Sequence, residues 1–191
     1  MHIKGADGAR RAKRWLDSTT RTKASWTNEE AVAASRMEFV WPSGGNNPFS
    51  FDVGGILIGE PYENHAFLAE VKNYSGDDLG SDYDDFLAKV YIVQRDYRRL
   101  ADQVMFLTWH PFRVTTWTQL ATSASIVFGL AKNHHRAFGA EDPDNRCFAD
   151  NLTHGRREEL HPCEHMDTSL VSELPDKIWN IVLNEKQEQL V

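Results

Sequence analysis

Apolar residues recur with helical or strand-like spacing along most of this 191-residue chain. Spacings of three and four predict a first helix over about residues 6–17, while the polar residues 18–30 lack a periodicity and are expected to form a loop. Short apolar runs that end at turn residues predict three strands next, over residues 36–41, 49–58 and 67–74. Residues 60–65 are expected to form the turn between the last two strands.

The second half of the chain predicts helices around a single further strand. An apolar stripe predicts a helix over about residues 82–101, and a continuous apolar run predicts a buried strand over residues 103–109. A further helix is expected over residues 116–132, followed by a loop-rich region at 134–173. A terminal helix is expected over residues 175–190, because a proline stands near its start.

This order of helix, three strands, helix, strand and helix favours an α/β fold with a small central mixed β-sheet flanked by helices. The length favours a single domain over residues 1–191, with a core at about residues 5–132 and a C-terminal extension at about residues 133–191. The 41% hydrophobic content and six tryptophans argue against a disordered chain.

Targeting and redox signals favour a cytoplasmic protein. Two cysteines are too few for a disulfide framework. No run of eighteen apolar residues is present, and the basic N-terminus lacks the apolar core of a secretory signal. We therefore expect no membrane partner.

Charge is distributed unevenly over a chain whose formal net charge is −7. Residues 1–25 carry seven lysines and arginines against two aspartates, whereas acids concentrate between residues 77 and 85. The basic side chains of the first helix are therefore candidates for gripping phosphates; they are Arg10, Arg11, Lys13 and Arg14. A solvated basic helix face is the plainer alternative.

The second and third predicted strands bring together three groups that are costly to bury. Glu70 and Lys72 share one face of a strand, because side chains alternate. If the turn centres near Tyr62, Asp52 lies opposite Lys72 and diagonal to Glu70. Gly54 then lies opposite Glu70 and leaves space for an ion and a phosphate.

Two carboxylates and a lysine suit phosphodiester hydrolysis. Asp52 and Glu70 would hold Mg²⁺ through oxygen and leave positions for water and phosphate. Lys72 would orient the water or offset the charge that develops. An exposed strand face with a Glu–Lys pair and an unrelated aspartate is the structural alternative.

The motif Asp52, seventeen residues, then Glu70-Val71-Lys72 resembles the signature of the PD-(D/E)xK nuclease superfamily. The predicted order of elements also resembles the αβββαβ core of its restriction-endonuclease-like fold, although Phe51 replaces the usual proline. The resemblance implies a Mg²⁺-dependent nuclease in which Mn²⁺ substitutes for Mg²⁺, with DNA as the preferred polymer. It also implies that the backbone carbonyl of Val71 binds the metal.

Two further positions are compared with that family. Many members carry a glutamine on the helix after the signature, and Gln94 stands at the expected distance. Many also carry a glutamate on the first helix, where this chain has alanine and arginines, so Glu38 is a candidate substitute. The missing acid supports an alternative: a weak or inactive member of the same fold that acts as a nucleic-acid-binding or protein-binding subunit.

The remaining features concern the source of specificity, the role of Tyr74 and an alternative metal site. Specificity is expected to come from substrate shape, a homodimer or a partner subunit, because no separate sequence-reading domain is present. Tyr74 either contacts a phosphate or closes its strand. A zinc cluster is disfavoured because the spacing of its candidate ligands is too tight; they are Cys147, His161, Cys163 and His165.

Overall fold

The computed structural model describes residues 3–19, 21–43, 47–74, 79–139 and 165–183. Its helices are α1 (Ile3–Ser18), α2 (Ala31–Met37), α3 (Leu79–Asp96), α4 (Ser123–Lys132), α5 (His134–Ala137) and α6 (Thr168–Glu173). Its strands are β1 (Thr22–Thr27), β2 (Glu38–Val40), β3 (Pro48–Ser50), β4 (Val53–Leu57), β5 (Ala66–Lys72), β6 (Gln103–Thr108) and β7 (Ile178–Val182).

A five-stranded mixed sheet in the order β1-β4-β5-β6-β7 lies at the centre of the protein. β1, β4 and β5 pair antiparallel, whereas β5, β6 and β7 pair parallel. β2 and β3 form a separate two-stranded sheet. The expected α/β class with a central mixed sheet is confirmed.

Helices cover both faces of the central sheet. α1 covers one face, where its buried Ala9, Ala12 and Leu16 pack against side chains from β4 and β5. α3 lies on the other face, where it contacts α4 and packs into the larger core. β5 and β6 are buried on both faces, so each reads as a nearly continuous apolar run. None of the described helices is both long and apolar enough to cross a membrane.

β1 lies in the segment that was expected to be a loop, and that prediction is wrong. Its side chains alternate poorly because the register with β4 shifts between Thr22 and Ala24. It is also the edge strand of the sheet, with exposed side chains at Lys23 and Ala24. A strand with few buried side chains and a shift in its pairing register shows only a weak alternation of apolar and polar residues in its sequence.

The predicted first and second strands are arranged differently in the structure. β2 pairs with β3 alone and does not join the central sheet. The predicted strand over residues 49–58 is divided by a bend at Asp52 into β3 and β4. Phe49 and Phe51, which precede the bend, are buried in the larger core with ring centroids 6.4 Å apart.

The terminal helix predicted from residue 175 is also wrong, because the segment forms β7. Pro175 lies in the first turn of a short 3-10 helix, Leu174–Lys177, and the chain then extends parallel to β6. The described part ends at residue 183, so the rest of the predicted helix lies outside it. Likewise, the helix predicted over 116–132 divides into a 3-10 helix, Val114–Gln119, and α4.

Candidate active site

The chain bends at Asp52, just before β4 and beside the end of β5 that carries Glu70. The pairing of β4 with β5 begins with Val53 opposite Ala69. The backbone of Asp52 is held on both sides, because its N–H donates to Ala69 and its carbonyl accepts from Asn28. The carboxylates of Asp52 and Glu70 therefore lie at one end of the sheet, close enough to interact electrostatically.

The predicted register was offset by two residues. The connection closes with the N–H of Leu57 donating to His65, which centres the hairpin on residue 61 instead of Tyr62. The space expected over Gly54 is filled, since a Cβ there would lie 2.7 Å from Nε1 of Trp26. Gly54 thus accommodates a tryptophan and leaves no gap for an ion.

A cleft of about 340 Å³ opens beside the two carboxylates. Its walls come from the ends of β4 and β5 and from α1, and they comprise Gly5, Gly8, Asp52, Glu70, Val71, Lys72, Asn73 and Tyr74. α1 approaches closely because Gly8 has no side chain: a Cβ there would lie 3.1 Å from Cβ of Asn73. Two glycines of α1, Gly5 and Gly8, therefore line the cleft.

Two lysines hold the carboxylate of Glu70. Nζ of Lys72 lies 3.0 Å from Oε1, and Nζ of Lys89 on α3 lies 3.2 Å from both oxygens. The side chain of Glu70 is only 6% exposed. Burial raises the pKa of Glu70, but the charges of Lys89 and Lys72 outweigh burial and lower the pKa overall. Glu70 is therefore an anion at neutral pH.

Lys72 is a cation in this setting. Burial lowers the pKa of Lys72, yet the nearby charges of Glu70 and Asp82 more than compensate and raise it. Nζ of Lys72 lies 4.0 Å from Asp82 on α3. Lys72 can consequently donate hydrogen bonds and supply positive charge, but it is poorly suited to accept a proton.

The pKa of Asp52 is shifted upward, whereas that of Glu70 is shifted downward. Burial and the charge of Glu70 raise the pKa of Asp52 to about 7, although the Val71 N–H and both lysines oppose the rise. That N–H donates to Oδ2 at 2.8 Å. Asp52 is thus a carboxylate that an additional cation would stabilise as the anion.

This raised pKa predicts a pH-dependent stability. The pKa of Asp52 is about 7 in the folded chain against an ordinary 3.8, so the folded state binds the proton more tightly. Stability should therefore fall as pH rises from about 4 to about 7 and then level off. Urea unfolding in EDTA should show this decline in the wild type and a flatter profile in Asp52→Asn. Parallel profiles for the two proteins would contradict it.

The basic residues of α1 mostly have partners within the protein. Arg10 forms an ion pair with Glu29 at 3.0 Å, and Lys13 forms one with Asp17 at 2.7 Å. Arg14 is exposed. The proposed phosphate-gripping face is therefore partly neutralised.

Arg11 is the basic residue of α1 that reaches the cleft region. Its guanidinium lies over the ring of Trp109 and donates to Asn73, which lines the cleft. A phosphate beside Asn73 would thus meet a cation that is already held in place. Whether Arg10, Arg11, Lys13 and Arg14 contact nucleic acid stays a prediction.

Three other candidates take separate positions. Gln94 does not line the cleft: it is buried, donates to the Ala101 carbonyl and accepts from Lys177. Glu38 is exposed on β2, outside the central sheet. Tyr74 does line the cleft, and its hydroxyl contacts Asp82.

Other metal sites receive little support in the part of the chain described. No group of three or more His, Cys, Asp or Glu side chains is placed to hold a metal within the described residues. Three of the zinc candidates, Cys147, His161 and Cys163, lie outside those residues, while His165 lies inside them. Asp52 and Glu70 are two carboxylates that line the same cleft.

Sequence reasoning missed Lys89 and Asp82, which α3 brings to the site. Both lie on the helix that follows the signature, seven residues apart and so on one face. A lysine within the apolar run of that helix was the available signal.

Comparison with protein-family models, curated proteins and solved structures finds no match to this chain.

Proposed function

We propose that this protein is a Mg²⁺-dependent nuclease that hydrolyses phosphodiester bonds, with DNA as its preferred substrate. The observation that carries the proposal is the convergence of Asp52, Glu70 and Lys72 on one cleft. All three side chains line that cleft, and Nζ of Lys72 is 3.0 Å from Glu70. This constellation resembles the signature of the PD-(D/E)xK superfamily.

The residues fit a hard divalent cation. Asp52 and Glu70 supply oxygen ligands, which Mg²⁺ prefers, and the resemblance adds the carbonyl of Val71. Burial raises the pKa of Asp52, so a cation bound beside this carboxylate would stabilise its ionised form. When bound, the cation lowers the pKa of the attacking water and offsets charge on the phosphate.

The chain's own groups orient and stabilise the reacting phosphate. Lys72 remains protonated, so it serves as a hydrogen-bond donor to the phosphate or to the attacking water. Asn73 and Tyr74 extend the polar wall of the cleft beyond Lys72. Gly5 and Gly8 line the cleft from α1 without contributing side chains to it.

A second candidate is a non-catalytic subunit of the same fold that binds nucleic acid or protein. Both oxygens of Glu70 are engaged by lysine, and α1 presents glycines to the cleft where an acid would complete a metal shell. In that case the cleft would bind a phosphate through Lys72 without cleaving a bond.

The test is cleavage of labelled single-stranded, duplex and branched DNA and of RNA, with Mg²⁺, Mn²⁺ or EDTA. The nuclease predicts cleavage that EDTA abolishes and that returns with either metal. Retained binding of these polymers without cleavage under every condition would favour the second candidate. Cleavage that persists in EDTA would contradict the metal-dependent mechanism.

A further inference from the structure

Glu70 has more positive charge around it than a metal-ligating carboxylate needs. Lys72 and Lys89 both lie within 3.2 Å of its oxygens, in a site where Glu70 is almost fully buried. Together with Asp52 these four groups sum to zero charge when both acids are ionised, and Asp82 adds a further carboxylate 4.0 Å from Lys72. A divalent cation must therefore enter a site whose carboxylates already face two lysine charges.

The two lysines are not equivalent. Lys72 has a second acidic neighbour, because its Nζ lies 4.0 Å from Asp82. Lys89 forms an ion pair with Glu70 and with no other acid among the described residues. Its Nζ is 3.2 Å from both oxygens of Glu70, so it covers the edge through which a carboxylate binds a metal.

We propose that Lys89 is a built-in competitor of the metal, which occupies Glu70 in the metal-free protein and sets the metal affinity. The inference rests on the proposed metal site. On cation binding, Lys72 keeps Asp82 as a partner and stays in the cleft. Lys89 loses its one ion pair within the described residues, although its charge still acts on Asp52 and Asp82 at longer range, and it must turn away from Glu70.

The test measures Mn²⁺ binding directly, from the electron paramagnetic resonance signal of the free ion. Lys89→Met should tighten the Mn²⁺ dissociation constant by ~10-fold or more, which is the repulsion expected between a unit charge and a divalent ion about 5 Å apart even in a medium as polar as water. Lys89→Arg, which keeps the charge, should bind Mn²⁺ as the wild type does.

Lys132→Met is the matched control. Like Lys89, Lys132 is one of two cations that pair with a buried carboxylate, here Asp84, but it does not line the cleft. The Lys132→Met substitution should leave the Mn²⁺ affinity unchanged. If Lys89→Met unfolds, Lys89→Gln retains a polar side chain and should show the same tightening.

The outcomes separate this inference from the metal site on which it rests. If Asp52→Asn weakens Mn²⁺ binding while Lys89→Met and Lys89→Gln leave it unchanged or weaker, Lys89 is only a structural partner of Glu70 and the inference is overturned. If Asp52→Asn does not alter Mn²⁺ binding in either the wild type or Lys89→Met, the proposed metal site itself fails.

Discussion

Asp52→Asn is expected to reduce metal-dependent cleavage by about three orders of magnitude or more, because a metal contributes several kcal/mol of transition-state stabilisation and each 1.36 kcal/mol is a factor of ten. Asparagine keeps the shape of the side chain and an oxygen that can accept the 2.8 Å hydrogen bond from Val71. The substitution therefore removes the charge while it preserves the bend before β4. Initial rates on the preferred substrate with saturating Mg²⁺ measure the effect.

Asp96→Asn is the control for that substitution. Asp96 ends α3, is partly exposed and pairs with Arg95, and it does not line the cleft. Its cleavage rate should equal that of the wild type. Cleavage by folded Asp52→Asn at the wild-type rate would remove Asp52 from the mechanism.

Asp84→Asn is expected to lower the free energy of unfolding by about 3 kcal/mol, since breaking a buried ion pair leaves the partner charges uncompensated. Asp84 is 1% exposed and accepts both arms of the Arg113 guanidinium, at 2.8 and 2.9 Å. Lys132 adds a third contact at 2.8 Å. The group joins α3 to α4 and to the segment after β6.

Thermal unfolding measures this effect. A loss of about 3 kcal/mol corresponds to a fall of roughly 6–12 °C in melting temperature for a chain of this size. Asp85→Asn is the matched control. The carboxylate of Asp85 is next to Asp84 in sequence, but it is 42% exposed and pairs with Arg136 at the surface. It should change the melting temperature by no more than about 2 °C. Equal shifts for the two variants would refute the buried network.

Asp84 also shows where sequence reasoning reached its limit. Its segment carries several acids in succession, which is typical of a solvated surface. The structure instead buries Asp84 completely and leaves its neighbour Asp85 partly exposed. The difference arises from the cations of α4 and the loop after β6, which are distant in sequence and have no local signal.

β5, which carries Glu70, and β4, which follows Asp52, could be predicted because burial on both faces leaves apolar runs. The bend at Asp52 could not be predicted. The exact pairing could not, since it depends on how the connection closes between Leu57 and His65. β1 and β7 were missed for a related reason. Both are edge strands of five or six residues, and short half-exposed strands carry weak patterns.

Lys89 illustrates the same limit for the site. Its neighbours Ala88 and Val90 are buried, so a lysine between them marks an unusual helix position. The sequence cannot say which acid such a lysine meets, because this depends on where α3 crosses the sheet. Gln94, the residue favoured by analogy, is instead held by Ala101 and Lys177.

The location of a bound metal tests the central proposal most directly. Crystals grown with saturating Mn²⁺ would be measured for anomalous scattering at a wavelength near the manganese absorption edge. We predict a peak at the cleft, within roughly 2.0–2.6 Å of an oxygen from each of Asp52 and Glu70, the range for oxygen ligands of hard divalent cations. A crystal that binds Mn²⁺ elsewhere, or not at all, and shows no peak beside these two carboxylates would contradict it.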